Sequence, residues 1–150
     1  MKPEVLWYWS CKLHQRKLTL FAKLLKTVNY LVYHAVLPYQ AVIERDIILE
    51  HYGLGVVIHP NVTLGHRVRI FQHVTIAAET WVGSPHRVVI GDDVVIGAGA
   101  CIIPSPDSGL EIGASAQVGA NAVVKKPVEP GQTVVGVPAK PLVPKNLQLQ

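Results

Sequence analysis

Apolar residues in the second part of the chain recur at intervals of six. One series of Ile, Leu and Val positions has eleven gaps, of which eight are six residues long and three are 9, 14 and 10. The series consists of Ile43, Leu49, Ile58, Leu64, Ile70, Ile76, Ile90, Ile96, Ile102, Ile112, Val118 and Val124. A second apolar residue stands two positions before each member, so both point to the same side of a short strand. This fixed period is neither helical nor hairpin-like and predicts a repeat architecture.

Each six-residue unit is interpreted as a short strand followed by a corner. Glycine recurs at Gly65, Gly91, Gly97, Gly113 and Gly119, and small residues of this kind are expected to let the backbone turn. Because one unit cannot bury its own apolar face, three units are expected to close a triangular coil, and the coils to stack. One interior column would then contain Leu49, Ile70, Ile96 and Val118. An ordinary β-sandwich does not explain the repeated gap of six.

The first forty residues have a helical pattern instead. Apolar side chains recur at spacings of three and four between Leu18 and Val36, and the pattern ends at Pro38. The Trp7–Trp9 cluster either begins this helical region or packs beneath it. We predict a helical segment at 1–40, a β domain at 41–143 and a tail at 144–150. The helical segment is expected to cap one end of the β domain, and the alternative is a helix that binds a membrane surface or a partner.

Composition and charge exclude several classes of protein. The chain has 150 residues, with 49% hydrophobic and 16% charged residues, which fits one folded domain and not a disordered chain. The net charge is +4, and the basic residues form two loose clusters at 12–26 and 125–145 instead of a stripe interleaved with aromatics. We therefore expect no nucleic-acid partner. These clusters are read as solvated faces, or alternatively as contacts for the phosphates of a small ligand.

The cysteines and the apolar runs bear on the compartment. Cys11 and Cys101 lie in dissimilar segments, so a disulfide is not expected and a reduced, cytoplasmic setting is the default. We expect neither a signal peptide nor a transmembrane helix, since there is no apolar run of the necessary length.

Three breaks interrupt the period of six, at 50–57, 77–89 and 103–111. Loops that leave a rigid scaffold frequently carry binding and chemistry. His51 lies in the first break and His86 in the second.

The repeats resemble the hexapeptide-repeat acyltransferases, and three stretches resemble serine O-acetyltransferase in particular. These stretches are Leu49-Glu50-His51 followed by Gly55-Val56-Val57, then Phe71-Gln72-His73-Val74-Thr75-Ile76, and the loop ending at His86 before Ile96-Gly97-Ala98-Gly99-Ala100. The ending Val135-Gly136-Val137-Pro138-Ala139-Lys140 is typical of CoA-dependent members. The resemblance covers about 41–143. It implies a left-handed parallel β-helix, an acetyl-CoA-dependent O-acetyltransferase activity and homotrimers whose active sites lie between subunits.

The resemblance also implies roles for three residues at the breaks. Acyl transfer to a hydroxyl needs a base for the hydroxyl proton and a donor for the oxyanion, and histidine titrates near neutrality. His51 matches the general base and His86 the second active-site histidine. Glu50 stands where the family usually has Asp, and would accept a hydrogen bond from an imidazole or from the acceptor.

The implied co-substrate is acetyl-CoA. Ala98 and Ala120 match positions that form the wall of the groove for its pantetheine arm. Lys125, Lys126 and Lys140 match or lie near positions that contact its nucleotide end. The alternative for these lysines is a solvated C-terminal face.

Two departures from the family pattern leave the acceptor open. Pro85 occupies the position of an Arg suited to the serine carboxylate, so Arg87, Arg67 and Arg69 become the candidates for that role. The Asp that usually pairs with the base is missing near Val36, and Glu44 or Asp46 is a possible replacement. L-Serine is the family's default acceptor, and a sugar hydroxyl in polysaccharide assembly is the alternative.

A β-helix without acyltransferase activity is a further alternative, either a zinc hydratase or an interaction scaffold. His59, His66 and His73 lie inside regular repeats. Because they do not match the three-histidine pattern of a zinc site, no metal site is predicted.

Overall fold

The fold begins with two helices, which the computed structural model describes together with the rest of residues 2–143. Helix α1 is Pro3–Gln15, with Pro3 in its first turn, and α2 is Thr19–Tyr33. Helix α2 ends where His34 adopts the left-handed conformation, with φ 54°. The sequence predicted helix up to Pro38. The helix ends earlier because Val36 already pairs with Val57 of the β region. The predicted 144–150 tail lies outside the described residues.

Fourteen short strands follow within the described range. They are β1 Val42–Ile43, β2 Ile48–Leu49, β3 Val57–Ile58, β4 Val62–Leu64, β5 Arg69–Ile70, β6 Thr75–Ile76, β7 Val88–Ile90, β8 Val95–Ile96, β9 Cys101–Ile102, β10 Leu110–Ile112, β11 Gln117–Val118, β12 Val123–Val124, β13 Thr133–Val135 and β14 Lys140–Pro141. From β1 to β12 every third strand joins the same sheet, so β1, β4, β7 and β10 form a first face. The second face contains β2, β5, β8, β11 and β13, and the third contains β3, β6, β9 and β12. Three strands therefore make one coil, and the coils stack in parallel until β14 pairs antiparallel with β13.

The interior is a set of stacked apolar columns. In the predicted column, Leu49 is in register with Ile70, Ile70 with Ile96, and Ile96 with Val118. All four are buried. The prediction of interior columns is confirmed, because the residues that recur at six occupy equivalent inward positions on successive coils.

The repeated glycines serve a purpose that the sequence interpretation missed. The left-handed corner residues are largely not glycine and include Arg67, His73 and Asp93. A Cβ on Gly91 would instead lie 2.7 Å from the backbone nitrogen of Ala114 in the next coil. Glycine at positions such as 91 and 97 is thus needed for close stacking of the coils, and not for the turn itself.

Helix α1 caps the first coil. Trp7 is fully buried, and its indole Nε1 donates a hydrogen bond of 2.8 Å to the carbonyl of Pro38. Helix α2 packs on α1 through the Ser10 hydroxyl, which donates to the carbonyl of Ala22 at 2.7 Å. No helix within residues 2–143 is long and apolar enough to cross a membrane.

Candidate functional site

The corners of the prism form three edges, and two of them carry the predicted site residues. The edge between the second and third faces, named here the His51 edge, carries His51, His73, Ala98 and Ala120 on successive coils. The edge between the third and first faces, named here the His86 edge, carries the 77–87 and 103–109 loops and the 125–127 turn.

His51 lies in a strained turn at the first break. The turn Glu50–Gly53 is a short 3₁₀ helix in which His51 has φ 50° and Tyr52 has φ 57°. Left-handed conformations of non-glycine residues cost about 1–3 kcal/mol each and persist where the surroundings hold them. Here the Tyr52 ring stacks on Tyr33, with centroids 6.2 Å apart. This packing holds the turn so that the His51 ring stands exposed at the edge.

Two concave regions meet at His51. One, of about 290 Å³, is lined by Val32, Tyr33, His34 and Leu54 as well as His51 and Tyr52. The other, of about 310 Å³, is lined by Lys2, Glu4, Ile48, Leu49 and Glu50 together with the same two residues. Within residues 2–143 the His51 ring nitrogens have no hydrogen-bond partner, so they remain available to a bound molecule.

Glu4 is a feature of this region that the sequence did not indicate. Its side chain is buried, and its Oε2 has no hydrogen-bond partner among the described residues. Burial raises the pKa of the Glu4 carboxyl. A glutamate in the first turn of a helix is common, so nothing in its local sequence marks it as part of the wall beside His51.

The Glu50 carboxylate is engaged by an arginine. It accepts hydrogen bonds from Arg69, from Nε at 3.1 Å and also from Nη2. Glu50 therefore neighbours His51 along the chain without a hydrogen bond to its imidazole. The pairing also occupies Arg69, one of the three arginines considered for an acceptor carboxylate.

Asp46 and Glu44 do not replace the missing partner of His51. Both lie at the remaining edge of the prism, where Asp46 Oδ2 is 3.1 Å from Nδ1 of His66 and Glu44 is 3.9 Å from its Nε2. The hydrogen bond with Asp46 raises the pKa of His66. Arg67 pairs there in bidentate fashion with Asp93, at 2.6 and 2.7 Å. The prediction that Glu44 or Asp46 supports the base is wrong, because both carboxylates interact with a histidine at a different edge of the prism.

The loop at 77–87 is tied to the β-helix by a buried asparagine. Asn61 is 1% exposed; its Nδ2 donates to the carbonyl of Trp81 at 2.9 Å, and its Oδ1 accepts from the Gly83 amide at 2.8 Å. The buried Ser84 hydroxyl accepts a hydrogen bond of 3.0 Å from the amide of His86. Asn61 and Ser84 thus determine where the His86 backbone lies. The six-residue period did not indicate this role for either residue.

Arg87 is also held away from open solvent. Its Nε donates to Thr63 Oγ1 at 3.1 Å, and its Nη2 to the carbonyl of Val62 at 3.0 Å. The guanidinium therefore braces the loop against β4. Hydrogen bonds or ion pairs thus engage each of the three arginines considered for the carboxylate.

His51 and His86 lie on different edges of one chain. His86 lines a concavity of about 460 Å³ with Pro85, Arg87, Glu111 and Pro127, and His51 does not line it. A single chain consequently does not bring the two predicted catalytic histidines together.

The three predicted cofactor lysines do come together. Lys125, Lys126 and Lys140 line one cavity of about 420 Å³ at the C-terminal end of the prism. Its apolar lining includes the buried Val128 and Val134. A cavity lined by three lysines and several apolar side chains is suited to an anionic ligand that also has an apolar part.

Small residues line the His51 edge beyond the histidine. Ala98 is half-buried and Ala120 is exposed, and the Asn121 amide donates to the carbonyl of Ala98 at 2.9 Å. Gly97 stacks so closely on the next coil that its Cβ would lie 2.6 Å from the nitrogen of Ala120. The strip of Gly97, Ala98 and Ala120 thus has short side chains or none, in contrast to the longer ones at the corners before it.

Other groups in the described part of the chain add no further chemistry. Residues 2–143 contain no group of three or more His, Cys, Asp or Glu side chains placed to hold a metal ion. Cys11 and Cys101 are free thiols, and burial raises the pKa of Cys11 to about 12.

Comparisons with known proteins give a consistent set of relatives. No family model matches the chain. It is 40% identical over 100 residues to a serine acetyltransferase of Mycobacterium tuberculosis, an alignment that covers 67% of this chain and 42% of the relative. The curated relatives are therefore considerably longer than the region they share with this chain.

Solved structures agree with the sequence comparison. A serine acetyltransferase of Neisseria gonorrhoeae superposes with a TM-score of 0.82 at 30% identity, covering 92% of this chain and 52% of that one. A soybean serine acetyltransferase complexed with serine gives a TM-score of 0.78 at 33% identity, covering 89% and 53%. These likenesses confirm the predicted fold, a left-handed parallel β-helix with a short N-terminal helical segment.

Proposed function

The chain is a serine acetyltransferase-like member of the hexapeptide-repeat acyltransferases, and from this premise we propose that it transfers an acetyl group from acetyl-CoA to the hydroxyl of a small acceptor. The observation that carries the proposal is the His51 turn, a left-handed corner at a break in the period that presents an exposed imidazole on the same edge as the small-residue strip. Single left-handed residues occur at several corners of the prism, and this turn differs in having two non-glycine residues in a row, His51 and Tyr52, in that conformation.

His51 is proposed as the general base. Its ring nitrogen accepts the proton of the acceptor hydroxyl while that oxygen attacks the acetyl carbonyl and forms a tetrahedral oxyanion. When the intermediate collapses, the C–S bond breaks and the CoA sulfur leaves as a thiol after receiving the proton from His51. His86 is proposed to stabilise the oxyanion or to orient the acceptor. Glu50, held by Arg69, is proposed to accept a hydrogen bond from the acceptor.

Acetyl-CoA supplies the acetyl thioester, and five residues are proposed to hold it. Ala98 and Ala120 would form the wall along which the pantetheine arm lies. Lys125, Lys126 and Lys140 would pair with the phosphates of the nucleotide end. The support is the cavity that these lysines share and the small side chains along the His51 edge.

A homotrimer is proposed as the working unit. The separation of His51 and His86 onto different edges supports a site completed by a neighbouring copy, in which the His51 edge of one subunit meets the His86 edge of the next. A cytoplasmic setting is proposed with it, since both cysteines are free thiols.

L-Serine is proposed as the first acceptor to test, because the serine acetyltransferases found by comparison include one complexed with serine. A sugar hydroxyl is the second candidate. The observation that favours it is the engagement of Arg67, Arg69 and Arg87 by other groups, with Pro85 at the position where the family has an arginine. A neutral sugar has no carboxylate and needs no such arginine.

The test is CoA release from acetyl-CoA by the purified full chain with a panel of L-serine, other hydroxy amino acids and sugars. Turnover on serine would support the serine assignment, and turnover only on a sugar would keep the chemistry and change the acceptor. If no acceptor gives turnover and CoA does not bind, the acyltransferase proposal is wrong and only the fold stands.

A further inference from the structure

Five apolar residues of helix α2 point away from the rest of the chain. Leu20, Leu31 and Val32 are 77%, 66% and 60% exposed, and Leu24 and Phe21 are exposed as well. At 3.6 residues per turn these five positions fall within an arc of about 120°. The buried residues of the helix, Ala22 and Asn29, lie outside this arc.

The charge of the chain is concentrated around the same helix. Residues 1–40 contain six basic residues and one acidic residue, a net charge of +5, which leaves −1 for the remainder of a chain of net charge +4. Glu4 is the only acid of this segment and is buried. Helix α2 itself contains no acidic side chain in its sequence, whereas Lys23 and the nearby Lys17 are exposed.

We propose that the apolar face of α2, formed by Leu20, Phe21, Leu24, Leu31 and Val32, binds the surface of an anionic lipid membrane. An amphipathic helix with basic residues beside its apolar arc binds in the plane of the interface, where the apolar side chains enter the headgroup region and the lysines meet lipid phosphates. The 15 residues of α2 extend about 22 Å, enough to lie along the surface.

A second copy of the chain is a poorer occupant for this face. Face-to-face pairing would bring together two segments of charge +5 with no exposed acid on either to compensate, and like charges repel. An anionic bilayer offers the opposite charge and an apolar layer at once. Membrane binding through α2 does not depend on the acetyl-transfer proposal. Because Val32 also lines one of the concavities at His51, the substitutions that test membrane binding are made at Leu20, Leu24 and Leu31, which do not line it.

The experiment is cosedimentation of the full chain with vesicles of phosphatidylcholine, with and without 30 mol% phosphatidylserine. We expect binding to the anionic vesicles that weakens at least about tenfold on omission of phosphatidylserine or in 0.5 M salt. The triple variant Leu20→Ser, Leu24→Ser, Leu31→Ser should bind at least about tenfold more weakly. Lys17→Gln with Lys23→Gln should lose affinity and much of the salt dependence.

Matched controls separate surface binding from altered folding. Val42 is an exposed apolar residue of β1, so Val42→Ser should bind vesicles as the wild type does, while Leu24→Ser alone should bind more weakly. Circular dichroism should be unchanged in all variants, because the substituted side chains are exposed. Absence of binding to anionic vesicles at low salt, or equal binding by the triple variant, would overturn the proposal. So would oligomers that dissociate in the triple variant while vesicle binding is absent, since a second copy would then cover the face.

Discussion

Replacement of Asn61 by alanine removes the side chain that ties the 77–87 loop to the β-helix. Asn61 makes two short hydrogen bonds to the loop, to the Trp81 carbonyl at 2.9 Å and from the Gly83 amide at 2.8 Å. It also makes longer contacts of 3.4 Å with Ser84 Oγ and the His86 carbonyl. At a net contribution of about 0.5–1.5 kcal/mol for each short bond, the loop should lose about 1–3 kcal/mol of stability against local opening.

Hydrogen exchange of the Gly83 and His86 amides measures this loss directly. A change of about 2 kcal/mol corresponds to a roughly 30-fold faster exchange, at 1.4 kcal/mol for each factor of ten. Amides of the interior strands, such as Ile96, should keep their protection because the loop opens separately from the core. Ser108→Ala is the matched control, since its hydroxyl bonds only within its own turn, to the carbonyl of Ser105.

Two results would refute this reasoning about Asn61. Unchanged exchange in the 81–86 loop would mean that the asparagine does not hold it. Faster exchange throughout the core would mean that Asn61 contributes to the fold as a whole. If the acetyl-transfer proposal is correct, Asn61→Ala should also lower kcat or raise KM by displacing His86, whereas Ser108→Ala should leave both unchanged.

Three further predictions concern the coils, one corner and the assembly. Gly97→Ala should lower the free energy of unfolding by about 1–3 kcal/mol in chemical denaturation, because the new Cβ meets backbone atoms of the next coil that cannot move aside, the nearest at 2.6 Å. The hydrogen bond with Asp46 raises the pKa of His66, so this pair stabilises the fold below pH 6.5 and loses the effect as the pH rises through the folded-state pKa. The variant His66→Gln should therefore have a lower thermal midpoint than the wild type at pH 5.5 and the same midpoint at pH 8.5. If sites form between subunits, inactive His51→Ala and His86→Ala chains that are unfolded and refolded together should regain part of the acetyl-transfer activity. A mixture that stays fully inactive would contradict that arrangement.

The periodic part of the fold was predictable because one physical requirement repeats along it. Each coil must place apolar side chains inside, so the same residues recur every six positions, and the Leu49–Ile70–Ile96–Val118 column followed from counting in threes. The helices were less predictable. The apolar arc of α2 has a regular helical spacing, and nothing in that spacing told which side faces the protein; the structure turns it outward.

The sequence predicted where the candidate site residues lie, but not which side chains they contact. The breaks in the period marked the His51 turn and the His86 loop, because an insertion must leave the prism at a corner. The partner of Glu50 proved to be Arg69, and the partner of Asp46 proved to be His66. These contacts join residues 19 and 20 positions apart, since stacking sets adjacent coils side by side. Asn61 was missed for a similar reason, as its partners lie in a loop whose path no period describes.

The rate of CoA release by His51→Ala, compared with the wild type and His66→Gln, tests the central claim most directly. All three chains should be measured with acetyl-CoA and the best acceptor of the panel. Loss of a positioned general base should lower kcat about 10²–10⁴-fold in His51→Ala, while His66→Gln should retain wild-type activity, since His66 lies at another edge of the prism. A His51→Ala chain that keeps activity within a few-fold of the wild type would contradict the assignment of His51 as the base on which the proposed mechanism rests.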